Sequence, residues 1–486
     1  MKARHECQPI RHTLPPHEIL GREGLERLHK ASSRILSELG VEFQDEEALE
    51  ILRAHGARVE NGIARFEPRL VEEWVARAPR QFVQRARNPR HDVTLGGGQT
   101  IFAPVYGPPF VLDLEGRRRS STLEDFQNFV RLASRTPVIH HTGGAIVEPT
   151  DLPVETRHLD MLLNLIRLSD KPFMGSVTSP GHAADSVAMA EILFGKDGIR
   201  ERPALLALIN ANSPRRFDGR MLGALKVYAR ARQAVVITPF LLQGAMSPVT
   251  LAGALAQQNA EVLAGIVLTQ MIEPGAPAVY GSFLTTIDFR SGQPIFGSPE
   301  SQVGTLASAQ LARHHGLPFR GGGAFTSSKL PDAQAAAESV MSLLPALTSH
   351  ASFVLHAAGW LENGLVASYE KFALDCEILE AMHHWSRGLD LCDDALAMDS
   401  ITEVPPGGQH LETEHTLRHF RKGFRGTGLF DYASFESWSK EGGLDARARA
   451  GSRIRELLRD DQPPPLDRAT EKELASFVTR RKESPG

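Results

Sequence analysis

The sequence predicts an α/β chain built on a (β/α)8 TIM barrel over 96–390, with an N-terminal helical preamble over 1–95 and a C-terminal helical extension over 391–486 packed on the barrel. Three observations lead there. Eight short apolar runs follow residue 99. Each leads into a stretch of helical periodicity, and repeated strand-then-helix order implies a parallel sheet. The alternation covers roughly 290 residues, the usual size of such a barrel. An open doubly wound sheet is the competitor, but no Gly-x-Gly-x-x-Gly fingerprint follows the first strand.

Taken in order, the preamble carries Leu25, Leu28, Ile35, Leu36 and Leu39 at helical spacing over 24–39. A helix restarts over 45–55, and a third apolar stretch follows at 70–75. The predicted strands are 100–106, 138–147, 173–178, 204–210, 234–240, 278–284, 318–324 and 352–356. The predicted helices are 122–135, 153–169, 181–195, 215–231, 249–273, 299–315, 331–349 and 362–387, the first reached through an extended piece at 110–114. Ser179-Pro180, Ser213-Pro214, Ser247-Pro248 and Ser298-Pro299 each stand before a predicted helix. Serine caps free N–H groups, and proline suits the first helical turn. Ser121-Thr122-Leu123-Glu124 reads as a capping box. Beyond Leu389 the regularity fades into a loop at 404–410 and helices over 447–459 and 470–480, parted by Pro463-Pro464-Pro465.

With 486 residues, 42% of them hydrophobic, the chain can bury one large core. Its net charge is −4 and it has no basic stripe, which argues against nucleic acid as a partner. Cys7, Cys376 and Cys392 lack metal-type spacing and cannot all pair, which suits a reducing cytoplasm. The first 20 residues hold no continuous apolar run, and no window holds eighteen apolar residues, so neither a signal peptide nor a membrane span is expected.

A parallel barrel exposes its chemistry beyond the carboxyl ends of its strands. Those ends offer Tyr106, Glu148, Thr178, Asn210, Asn212, Gln243, Phe283, Arg320, His356, Trp360 and Glu362. Arg320 lies in an apolar, glycine-flanked strand. It is either an anchor for a substrate carboxylate, which its planar fork matches, or one half of an internal salt bridge to an acid such as Glu362. His356 ends the next strand and is a substrate hydrogen-bond partner, a base, or simply a satisfied polar residue. Tyr106, Phe283, Phe325 and Trp360 form either an aromatic wall for an alkylated ammonium group or plain core. Gly321-Gly322-Gly323 either cradles an anion or permits close backbone approach. His415 and His419 share a helix face near His410, but the zinc motif His-Glu-x-x-His is absent and no third ligand is evident. No metal is therefore expected. The adjacent pairs His140-His141, His314-His315 and His383-His384 are expected to point to opposite sides, as poor chelates do.

Several long motifs carry a resemblance. They are 321–334, from Gly321-Gly322-Gly323-Ala324-Phe325 to Gln334; 357–370, from Ala357-Ala358-Gly359-Trp360-Leu361-Glu362-Asn363 to Glu370; Gly407-Gly408-Gln409-His410-Leu411 with His415-Thr416-Leu417; and 292–300. In these, from about residue 20 to near the C-terminus, the chain resembles the trimethylamine methyltransferase family. The resemblance implies a (β/α)8 barrel that moves a methyl group from a methylated amine to the cobalt of a separate corrinoid protein. The family's founding enzymes carry pyrrolysine, whereas this sequence holds only the twenty standard residues. It is thus similar to the non-pyrrolysine branch, which includes glycine betaine methyltransferases. In that branch an arginine and a histidine on neighbouring strands lie at the betaine carboxylate, and Arg320 and His356 match them.

The resemblance thus implies a small quaternary amine such as glycine betaine as substrate, a cognate corrinoid protein as partner, and no tightly bound cofactor, the corrinoid (cobalamin) coming with the partner. A homo-oligomer is compatible with it. His356 and Glu362 are the expected catalytic residues, with Arg320, Tyr106, Gly321, Phe283 and Trp360 around the substrate. The physics is consistent. A quaternary ammonium leaves as a neutral amine and needs no proton, and gripping the remote carboxylate avoids overstabilising a positive charge that fades in the transition state. The rivals are a non-catalytic binder of methylated ammonium compounds, a trimethylamine-type demethylase, and a barrel lyase or hydrolase using Glu148 or Glu362 as base.

Overall fold

The computed structural model describes residues 8–459 and 462–484, so Cys7 lies outside the described residues. The chain forms a mixed α/β fold around a curled parallel sheet. Among the described residues the sheet contains β1 (Gln99–Phe102), β2 (Phe173–Met174), β3 (Leu205–Ala211), β4 (Ala234–Gln243), β5 (Ala278–Gly281), β6 (Phe319–Arg320) and β7 (Phe353–Val354). The spatial order is β1-β7-β6-β5-β4-β3-β2, every pairing parallel. Interior positions are filled by Ile101, Leu206, Val236, Val279 and Phe353, all buried. Buried Val- and Ile-rich strands are what a sheet covered on both sides requires.

The predicted strand at 138–147 is absent. His140 and His141 both donate their N–H to the Phe102 carbonyl, Thr142 donates to Pro172, and Met174 donates to Gly143. The stretch thus bonds to the flanks of β1 and β2 without a ladder. The reason is local: Gly143 sits at φ +86°, which breaks the extended run. The predicted strand 278–284 is interrupted at Ser282 and resumes as Phe283–Ile287, parallel to the outer end of β4.

The outer layer holds α1 (Leu123–Arg135), α2 (Arg157–Leu168), α3 (Pro180–Phe194), α4 (Gly219–Arg230), α5 (Leu251–Ile272), α6 (Pro299–His314), α7 (Ala333–Thr348) and α8 (Tyr369–Trp385). Ser179 and Ser298 cap α3 and α6 as expected. The other two Ser-Pro pairs do not cap: α4 is capped by Asp218, and α5 follows Thr250. Ser213 instead donates to Glu261. The capping box of α1 pairs Thr122 with Asp125 rather than using Ser121.

Helix α5 is long and apolar enough to cross a membrane, yet 83% of its most apolar window is buried inside the protein. The N-terminal helices Arg22–Arg34, Glu46–Ala54 and Pro68–Val75 cover it. At the other end, helix Ala446–Arg459 packs on α8 and α1, and Arg468–Glu483 packs on α2 and α3. A small sheet of Phe110–Leu112, Arg118–Ser120, Trp360–Leu361 and Val366–Ser368 joins the segments that follow β1 and β7.

Candidate active site

Arg320 ends β6 and is almost wholly buried. One guanidinium nitrogen, Nη1, donates to the Ser282 carbonyl at 2.7 Å, and Nε has no partner. Among the described residues no carboxylate pairs with it. Burial alone pulls this guanidinium down to about 9. A charge held this way is costly until an anion arrives. Ser282, which receives it, is itself fixed: its hydroxyl donates to Gln258 of α5 at 2.9 Å, Gln258 donates to Ser308 of α6 at 2.9 Å, and the two serine hydroxyls lie 3.2 Å apart.

His356 follows β7 at φ +64° and is buried. Its Nδ1 accepts the Tyr106 backbone N–H at 3.2 Å. Burial, then the neighbouring Arg320 charge, holds its pKa well below the ordinary range. The ring is therefore neutral with its proton on Nε2, because Nδ1 must accept. That tautomer offers a donor to a ligand and leaves no free base.

Around this pair stands an aromatic cluster. Phe283 lies 5.5 Å from the His356 ring and beneath the Arg320 guanidinium at 5.2 Å. Trp360 lies 4.7 Å from His356, 5.1 Å from Phe325 and 5.0 Å from Phe296. The indole N–H of Trp360 is spent on the Thr326 carbonyl at 3.2 Å, which fixes the ring in this cluster. Phe296 and the Ser282–Gln258–Ser308 triad escaped the sequence reading. The polar run Gln257-Gln258-Asn259 with Glu261, inside a helix that is otherwise largely apolar, was the available signal.

Tyr106 stands 6.4 Å from His356, and burial beside Glu148 keeps its phenol protonated. On its other side opens a cavity of about 690 Å³ lined by Gly144, Glu148, His158, Met174, Thr178 and His182. Tyr106 thus lines the cavity and neighbours His356.

The remaining expected residues lie elsewhere. Glu362 is not the partner of Arg320; both its oxygens accept from Arg118, at 2.8 and 3.1 Å. Glu148 is paired with Arg157. Both carboxylates that the lyase or hydrolase reading needs as base are therefore engaged by cations. Gly321 has a packing explanation, since a Cβ there would fall 2.3 Å from the Phe319 ring. At Gly322, φ +73° and the Ala346 methyl exclude a side chain as well. Thr178 is hydrogen-bonded to His182, Asn212 donates to Asp218, and Gln243 is buried with its amide nitrogen unpartnered.

The family model for trimethylamine methyltransferase (MTTB) matches residues 1–486. This chain belongs to that family. A glycine betaine methyltransferase from Desulfitobacterium hafniense (strain Y51) is 43% identical over 97% of this chain and 99% of its own. A proline betaine:corrinoid methyltransferase from Eubacterium limosum is 32% identical over 84% of this chain and 86% of its own. The crystal structure of the Methanosarcina barkeri monomethylamine methyltransferase (MtmB) is similar in fold at a TM-score of 0.50 and 10% identity, covering 97% of this chain and 89% of that one.

Proposed function

We propose that this family member transfers a methyl group from a small carboxylated quaternary amine, glycine betaine or a relative, to the cobalt of a separate corrinoid protein. The observation that carries the reading is Arg320, a buried guanidinium without an acidic partner among the described residues, beside a neutral imidazole donor. A substrate carboxylate satisfies both at once: Arg320 supplies charge and direction, and His356 Nε2–H a second bond. Phe283, Phe296, Phe325 and Trp360 then receive the trimethylammonium end, which apolar ring faces attract without a fixed counter-charge. Trimethylamine has no carboxylate and would leave Arg320 bare, which disfavours that alternative. Tyr106 stands at the approach from the cavity, and Gly321 lets the chain turn closely behind Arg320. Glu362 acts as a positioning residue, tying the Trp360 hairpin to Arg118.

The corrinoid on the partner supplies a low-valent cobalt nucleophile. This chain orients the substrate by its acidic end, keeps water from the methyl group and moves no proton, since the leaving amine is neutral.

The same reading takes the segments 1–95, 96–390 and 391–486 as preamble, barrel and extension, with 140–143 closing the ring as its eighth stave. It places the chain in the cytoplasm, where Cys376 and Cys392 stay free thiols. The exposed side chains of Leu389, Leu411, Phe424, Tyr432 and Phe435 make the 385–435 arm a surface for a second copy of the chain. A monomer by light scattering would reject that assignment.

The deciding experiment supplies glycine betaine and a reduced cognate corrinoid protein and follows methyl-cobalt absorbance together with dimethylglycine. Both should appear in equal amounts. Substrate binding without either product would leave the non-catalytic binder as the answer.

A further inference from the structure

Where the N-terminal helix Arg22–Arg34 meets the end of α6, three imidazoles gather: His29, His314 and His315. Adjacent histidines on a regular helix diverge, but His314 ends α6 and His315 is its cap with ψ 0°. Their rings accordingly lie 5.0 Å apart, and His29 lies 5.0 Å from one and 5.2 Å from the other. The expectation that this pair points to opposite sides does not hold.

The spacing of the ring centres matches that of a metal site. A zinc–nitrogen bond of about 2.0–2.1 Å places a ring centre about 3.2 Å from the ion, so three tetrahedral imidazoles stand about 5.2 Å apart. The candidate nitrogens lie within 4.8 Å of one another, and side-chain rotation can bring them closer. Edge-to-face ring packing alone would also give such spacings. It would not explain two buried nitrogens, Nδ1 of His29 and Nε2 of His315, that have no hydrogen-bond partner. Leaving such atoms unsatisfied is unfavourable, and a cation satisfies them. Glu72 adds a negative charge near His29.

We infer that His29, His314 and His315 bind a divalent transition-metal ion of the zinc type, stapling the N-terminal helix to α6. The second cluster, Asp394, His415 and His419, supplies the acidic third group not evident in the sequence but makes a poorer site. Its Asp394 is already paired with His419 at 2.8 Å and Arg418 at 3.1 Å, and that guanidinium repels a cation.

The test uses full-length protein freed of metal with a chelator and titrated with Co²⁺, read by ligand-field absorption, and with Zn²⁺ in competition with a chromophoric chelator. One ion per chain should bind and raise the melting temperature. His29→Gln with His315→Gln should weaken binding at least about 100-fold, the upper end of what even outer-shell changes cost. His314→Gln, at an exposed position, provides a variant with little risk to folding and should also lose the Co²⁺ spectrum. Absence of binding, unchanged binding in these variants, or loss of the spectrum only in His415→Gln with His419→Gln would overturn the assignment.

Discussion

At the scale of single residues, the division of labour between Arg320 and His356 makes separable predictions. Truncating a buried charged anchor typically costs about 2–5 kcal/mol, so Arg320→Ala should lower kcat/KM for glycine betaine at least about 30-fold, mostly through KM. Arg320→Lys keeps a charge but loses the fork and should fall between. Equal kinetics for wild type and Arg320→Ala would remove the carboxylate anchor. With His356 in its proposed role as a neutral donor, kcat/KM should show no ionisation near 6.5, and His356→Gln should retain more activity than His356→Phe. An acid limb near 6.5 that vanishes in His356→Phe would instead make it a base. The placement of both residues at neighbouring strand ends was legible because a charged and a polar side chain interrupt apolar runs there; their roles were not, since an internal salt bridge and a satisfied polar residue fit the sequence as well. The partners were not legible either. Arg118 reaches Glu362 across 244 positions, and the Ser282 triad spans three elements, so sequence spacing carries no trace of either.

Among the elements, periodicity found the outer helices because an amphipathic or buried 3.6-residue pattern extends over many residues. The strand runs at 173–178, 318–324 and 352–356 were found but drawn too long, since β2, β6 and β7 are two residues each, and the run at 138–147 failed where a single glycine, Gly143, decides the path. The short sheet carrying Trp360 was equally hidden, since its pairs Val366↔Phe110 and Trp360↔Ala367 depend on tertiary approach. What holds that loop is a buried ion pair in α8: Lys371 bonds Asp375 and the Ser339 hydroxyl, and Asp375 accepts the Gly359 N–H at 2.9 Å. Burial pulls the lysine down and pushes the aspartate up, yet each satisfies the other. Removing one partner strands the other charge. Lys371→Ala should therefore lose about 3–5 kcal/mol in denaturant unfolding. Lys371→Met with Asp375→Leu should lose less, and a loss no greater for Lys371→Ala than for the pair would show that the charges are not coupled.

At the scale of the molecule, the same burial that sharpens the site makes the fold acid-sensitive through histidine. His356 is held far below its ordinary pKa, His141 is lowered to about 3, and His158 to about 4, in each case first by burial. These rings are neutral in the folded chain and take a proton on unfolding once pH drops below about 6.5. The unfolded state then binds more protons, so its free energy falls with pH while that of the native state does not. Each wholly buried ring, His141 and His356, should remove about 1.4 kcal/mol of stability per pH unit below that point. The native carboxylates held low, such as Asp125 beside Arg119, act in a different window, since their contribution is lost only as pH falls through the acid range near 4 and below. Urea unfolding should therefore give a stability that is level between pH 7 and 8 and declines steadily from 6.5 to 4.5. A stability unchanged at pH 4.5 would mean that these imidazoles accept protons in the native state, and with it would go the neutral His356 donor on which the site's geometry rests.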